Sequence, residues 1–116
     1  MQKITGEDYN IQYDSESVTV SFQGEISFGG PAEYAPINQL LDTVAAADPS
    51  TMTLNLKELE FLNSAGISML AKFVINMRKK GTVQVIVLGS NHIPWQGKSL
   101  KNLQRLLPSL KLELSA

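Results

Sequence analysis

The sequence predicts an α/β fold: a mixed sheet of four or five strands, with crossover helices packed on it, in a single domain spanning 1–116. Three observations predict it. Two period-2 stretches open the chain on either side of a short turn. Apolar residues recur at spacings of three and four in three later segments, and short apolar runs alternate with those segments. The expected order is β-β-α-β-α-β-α-β, with right-handed crossovers between the later strands.

Each element has its own local reason. Tyr9 to Tyr13 and Ser17 to Gln23 alternate around Asp14-Ser15-Glu16, which predicts an antiparallel hairpin. The stretch Gly24 to Gly30 reads as a glycine-punctuated loop. Pro31 then suits the first turn of a helix running to about Ala47, with Tyr34, Ile37, Leu40, Leu41, Val44 and Ala45 on one face. Pro36 lies close enough to the start to be tolerated, and Asp48-Pro49-Ser50 ends the helix.

Met52 to about Leu56 predicts the third strand. After Asn63, a good N-cap, a second helix is expected from Ser64 to about Lys80. Ile67, Leu70, Ala71, Val74 and Met77 line one side of it, and Met69, Phe73 and Ile75 widen its apolar surface. Gly81 is the expected terminator. Val83 to Leu88 reads as a strand buried on both faces, central and parallel to the third. A loop from Gly89 to about Gly97 precedes a third helix over Ser99 to Leu107, with Leu100, Leu103, Leu106 and Leu107 inward. Pro108 closes it, and Leu110 to Leu114 alternates as the last strand.

Composition narrows the function. With 43% apolar and 18% charged residues the chain is an ordinary globular domain. It has no apolar run near the ~20 residues of a membrane span and no signal-peptide core at its start, so the expected location is cytoplasmic. Zero cysteines and one histidine, His92, leave no thiolate nucleophile, no multi-histidine metal site and no expected cofactor. The net charge of −1 hides an uneven distribution. Residues 1–62 carry two lysines and ten carboxylates, whereas residues 63–116 carry eight cations and Glu113 alone. Arg78, Lys79 and Lys80 suit a helix C-terminus, and Lys98, Lys101 and Arg105 read either as solvated side chains or as a basic strip offered to an acidic partner. Nucleic acid is not expected, since the chain is not basic overall and no aromatics interleave with the lysines.

Two catalytic patterns fail on inspection. Gly97-Lys98-Ser99 resembles the end of a phosphate-binding loop, but His92 stands where that motif needs its first glycine. A serine hydrolase elbow needs glycines flanking its serine, and Leu62 occupies the first of those positions relative to Ser64. The chain is not expected to be an enzyme.

The strongest local feature is Asn63-Ser64-Ala65-Gly66, at the mouth of the second helix. The first helical turn has unpaired N–H groups and the positive end of the macrodipole, so a phosphate on Ser64 would sit in a favourable field.

These residues also carry a family resemblance. The segment Phe22-Gln23-Gly24-Glu25-Ile26 resembles the apolar-x-Gly-Glu-Leu stretch that follows the opening hairpin in STAS domains. Leu54 to Ile67 is similar to the family motif, in which a strand ends in Asp-Leu-x-x-Val-x-Phe-Met-Asp-Ser-Ser-Gly-Leu. Leu100 to Leu107 looks like the family's last crossover helix. The resemblance implies a STAS-like fold and a regulatory, protein-binding module of the anti-sigma factor antagonist type. It implies phosphorylation at Ser64, with Asn63, Ala65 and Gly66 forming the phosphosite environment. The implied partners are an anti-sigma factor or switch-kinase-like protein, plus a phosphatase.

Asn63 stands where the family has aspartate, and Ala65 where it has a second hydroxyl. Glu25, Ser27, Ile67, Trp95 and Lys98 are the candidate partner contacts, with Trp95 readable equally as a lid on the sheet. Two alternatives stand beside the switch: a constitutive scaffold without phosphorylation, and a small-ligand module using a pocket between the 24–30 loop and the second helix. A monomer or weak dimer, with no membrane contact, completes the expectation.

Overall fold

The computed structural model describes residues 2–115. Its elements are β1 (Gln2–Thr5), β2 (Tyr9–Asp14), β3 (Thr19–Ile26), α1 (Pro31–Ala46), β4 (Thr51–Leu62), α2 (Ser64–Lys80), β5 (Gln84–Ser90), α3 (Gln96–Leu106) and β6 (Lys111–Ser115). The sheet has six strands in the order β1-β2-β3-β4-β5-β6, not the four or five expected. The additional strand is β1, which pairs antiparallel with β2 through Ile4 opposite Ile11. From β3 onward neighbours are parallel, each joined through a helix, so the sheet is mixed as expected.

Paired positions share a face, and the register shows which face is buried. Ile11 lies opposite Phe22, Val20 opposite Leu54, and Leu54 opposite Val87, all essentially inaccessible to solvent. Their neighbours Thr53, Asn55, Ile86 and Leu88 point the other way and stay half-exposed. The core therefore lies on one side of the sheet, under the helices, and the expectation that β5 is buried on both faces is corrected.

α1 buries the face expected of it, with Tyr34, Ile37, Leu40, Leu41, Val44 and Ala45 inward. It starts at Pro31 with no side-chain cap, and Pro36 is accommodated in its second turn, where little of the hydrogen-bond ladder is lost. α2 ends at Gly81, whose φ of 71° lets its N–H reach the Met77 carbonyl, an arrangement glycine adopts without a Cβ penalty. Asp48, just past α1, pairs with Lys80 at 3.6 Å and accepts from the Thr82 hydroxyl. That hydrogen bond first, and Lys80 second, hold its carboxyl below the usual carboxylate range.

β4 differs most from expectation. It runs to Leu62, and its register against β3 shifts twice, between Ser21 and Gln23 and between Gly24 and Glu25. Each shift inserts one residue on β4, as β-bulges do. Inward positions consequently fall at Met52, Leu54 and Leu56, then at Leu59 and Leu62. The extension delivers the chain to the mouth of α2.

Candidate functional site

Asn63 leaves β4 in an extended conformation and caps α2: its Oδ1 accepts the Gly66 N–H at 3.1 Å, and its carbonyl accepts the Ile67 N–H at 3.0 Å. Its side chain does more than cap. Nδ2 donates to the Phe28 carbonyl at 2.8 Å, and Oδ1 also accepts from the Tyr34 hydroxyl. The same hydroxyl receives the Phe28 N–H at 3.4 Å. One amide thus ties the mouth of α2 to α1 and to the loop after β3. The Phe28 ring packs between Tyr9 and Tyr34, at centroid distances of 5.3 and 4.9 Å. Burial raises the Tyr34 phenol above its ordinary value; the Phe28 N–H partly offsets this, and the nearby Glu33 carboxylate adds to it.

Ser64 is the first residue of α2 and is exposed. Among the described residues no histidine or carboxylate hydrogen-bonds its hydroxyl. The Asn63 cap uses the Gly66 N–H, and the helix geometry leaves the Ser64 and Ala65 N–H groups without intrahelical partners. Gly66 is buried, and a Cβ there would stand 2.3 Å from Leu62 Cδ1 and 2.7 Å from the Tyr34 hydroxyl. Its absent side chain makes room for this chain's own Tyr34.

The other predicted contacts divide between the two edges of β4. Glu25 and Ser27 are exposed on the β3 side, and the Asn63 N–H donates to the Ile26 carbonyl between them at 3.3 Å. Trp95 lies on the β5 side, half-buried, with its indole N–H on the Leu59 carbonyl at 3.0 Å. Lys98 is exposed in the first turn of α3 on that same side, and Ile67 is half-buried against the core.

Sequence reasoning missed three residues here. Tyr34 reads as one more apolar helix position, although a buried phenol needs a hydrogen-bond partner. Phe61 is opposite Glu25 and 44% exposed, a large apolar side chain displayed three residues before Ser64. Gln96 is wholly buried: its Nε2 donates to the Leu56 and Leu59 carbonyls at 2.6 and 3.0 Å, and its Oε1 accepts the Ser90 N–H at 2.7 Å. It closes the stretch of β4 that β5 does not reach.

The hollow nearest Ser64 is a groove of about 110 Å³ between α1 and α2, lined by Tyr34, Asn38, Ala65, Ser68 and Lys72 among others. Small-molecule sites occupy about 300–1,000 Å³, so this groove is too small for one. Two larger depressions, of about 520 and 500 Å³, are open; they lie between β1 and α1, and beside Glu58, Glu60 and His92. Among the described residues no cluster of three metal-ligating side chains exists, and no helix is long and apolar enough to cross a membrane.

A one-sided α/β sheet that presents a serine at the capped mouth of its central helix defines a domain that displays a surface. The STAS domain model matches residues 9–93, and the chain belongs to that family. No curated protein matches it in sequence. Among solved structures, a chain in the complex of the diguanylate cyclase SiaD with its activator SiaC from Pseudomonas aeruginosa is similar over 100% of this chain and 99% of its own. The TM-score is 0.76 at 15% identity. SiaC of Pseudomonas aeruginosa alone gives 0.69 at 14% identity, over 100% and 98%. An anti-sigma factor antagonist from Mycobacterium paratuberculosis gives 0.66 at 22% identity, over 93% and 90%. These likenesses show the fold, including α3 and β6 beyond the family match.

Proposed function

We propose that this chain is a cytoplasmic regulatory module that docks a signalling protein through the Ser64 end of its sheet, and that phosphorylation of Ser64 weakens the docking. The partner is an anti-sigma factor or a switch-kinase-like protein, or a signalling enzyme of the kind SiaC activates, with a phosphatase to reset the switch. The observation that supports the reading is the exposed Ser64 hydroxyl at the first position of α2, beside exposed Phe61, Glu25 and Ser27. A phosphate there adds about −1.5 to −2 charges to a surface that must lose water on docking. In the free protein the same group meets the unpaired N–H groups of the helix start, so the fold tolerates it.

Affinity capture with unmodified protein identifies the partner, and titration of that partner against Ser64→Ala and Ser64→Asp tests the switch. Ser64→Asp is expected to bind at least about tenfold more weakly, a difference of about 1.4 kcal/mol. Equal affinity, together with no phosphorylated species in the intact mass of protein from its own cells, would leave a constitutive scaffold.

A further inference from the structure

Two large apolar side chains stand exposed among the described residues: Phe61 at 44% and Ile75 at 37%. They occupy surfaces of opposite charge. Phe61 is opposite Glu25 and next to Glu60, and Glu58 follows along the same strand, paired to Gln23. The turn before β2 brings Glu7 and Asp8 to this end, where the Asp8 carbonyl accepts the Glu25 N–H at 2.9 Å. All five carboxylates are exposed, and Lys57 is the lysine among them. Ile75 sits within one helical turn of Lys72, Arg78 and Lys79. α2 and α3 together carry seven exposed cations (these three, with Lys80, Lys98, Lys101 and Arg105) and no carboxylate. Lys80 alone among them forms an ion pair, with Asp48.

Each surface is therefore an apolar centre in a field of one sign, and the chain supplies both signs in nearly equal amount. We propose that the protein self-associates head to tail, the Phe61 surface of one copy seating on the Ile75 surface of a second. The two surfaces differ, so the contact is heterologous, and the assembly leaves one unused surface of each kind, one at either end. Complementary fields steer and orient such an encounter, and the apolar centres provide burial that exposed ion pairs alone do not. The proposal needs no modification of Ser64.

Sedimentation velocity on the whole chain tests it. At about 50 mM salt the average mass should rise above the 12.7 kDa monomer with concentration, and at about 500 mM, where screening is strong, it should return to the monomer. Phe61→Ala and Ile75→Ala should each weaken association at least tenfold. Mixed, they should pair one to one and stop at a dimer, because each then contributes its single intact surface. Charge reversal gives a second, independent pair: Glu58→Lys with Glu60→Lys, and Lys72→Glu with Lys79→Glu. Each should be monomeric alone, and mixing should restore assembly. A monomer at every concentration at low salt, association that survives both apolar substitutions, or mixtures that fail to pair would each overturn the proposal.

Discussion

The Tyr34 hydroxyl donates to the same Asn63 oxygen that caps α2, while the Asn63 nitrogen donates to the Phe28 carbonyl. The position therefore uses both halves of an amide. An aspartate could accept from Tyr34 and Gly66 but could not donate to Phe28, and it would set a negative charge against a carbonyl oxygen. Asn63→Asp is expected to destabilise the fold by about 1 kcal/mol or more, the lower end of the cost of leaving a buried group unpaired, since this contact is part-buried. The urea midpoint should fall accordingly, and amide exchange in the 27–30 loop should accelerate.

Tyr34 gives the fold an alkaline dependence. Its phenol is raised in the folded state, so its contribution is complete below the unfolded value of about 10. As pH rises past that value the unfolded chain loses its proton first, and the contribution declines until the folded group titrates. Tyr34→Phe should be less stable at neutral pH by about 1 kcal/mol, the net worth of a typical hydrogen bond. The gap to the parent should narrow above about pH 10, which chemical denaturation at a series of pH values would read.

Gly66→Ala tests the close packing at the mouth of α2. Helix propensity favours alanine by about 1 kcal/mol, but the added methyl meets Leu62 and the Tyr34 hydroxyl, which is fixed by two partners, Asn63 and Phe28. Overpacking costs of about 1–3 kcal/mol should prevail. The melting temperature is expected to fall; a rise would show that Leu62 and Tyr34 yield freely.

Gln96→Leu removes the buried amide and leaves the Leu56 carbonyl and the Ser90 N–H without their partners, while Trp95 still serves Leu59. Two orphaned groups at about 1–3 kcal/mol each predict a loss of at least about 2 kcal/mol. Denaturant unfolding measures it directly.

The elements legible in the sequence were those with strong local signals. α2 announced itself through Asn63, its apolar stripe, its basic last turn and Gly81, and α1 through Pro31 and its inward face. β1 was missed because Ile4 is its only large apolar residue and it lies at the sheet edge. The second half of β4 was missed because its bulges set Leu56, Leu59 and Leu62 three apart, which erases the period-2 pattern. α3 begins at Gln96, ahead of the expected Ser99; Trp95 precedes it without a capping hydrogen bond, so no N-cap residue marks that start in the sequence. Ser64 and its cap were readable from residue type. The links from Asn63 to Tyr34 and Phe28 were not, because they span 29 and 35 positions of sequence.

The paired stretch of β4 from Thr53 to Leu62 is two residues longer than Thr19–Ile26 beside it. That surplus acts as a ruler. Shortening Lys57–Glu60 by one residue would turn Phe61 inward and Leu62 outward, and would retract Asn63 from the groups it holds. The tolerance of this segment to insertion or deletion is consequently far narrower than its polar composition suggests, and its length is inherited as part of the serine's position.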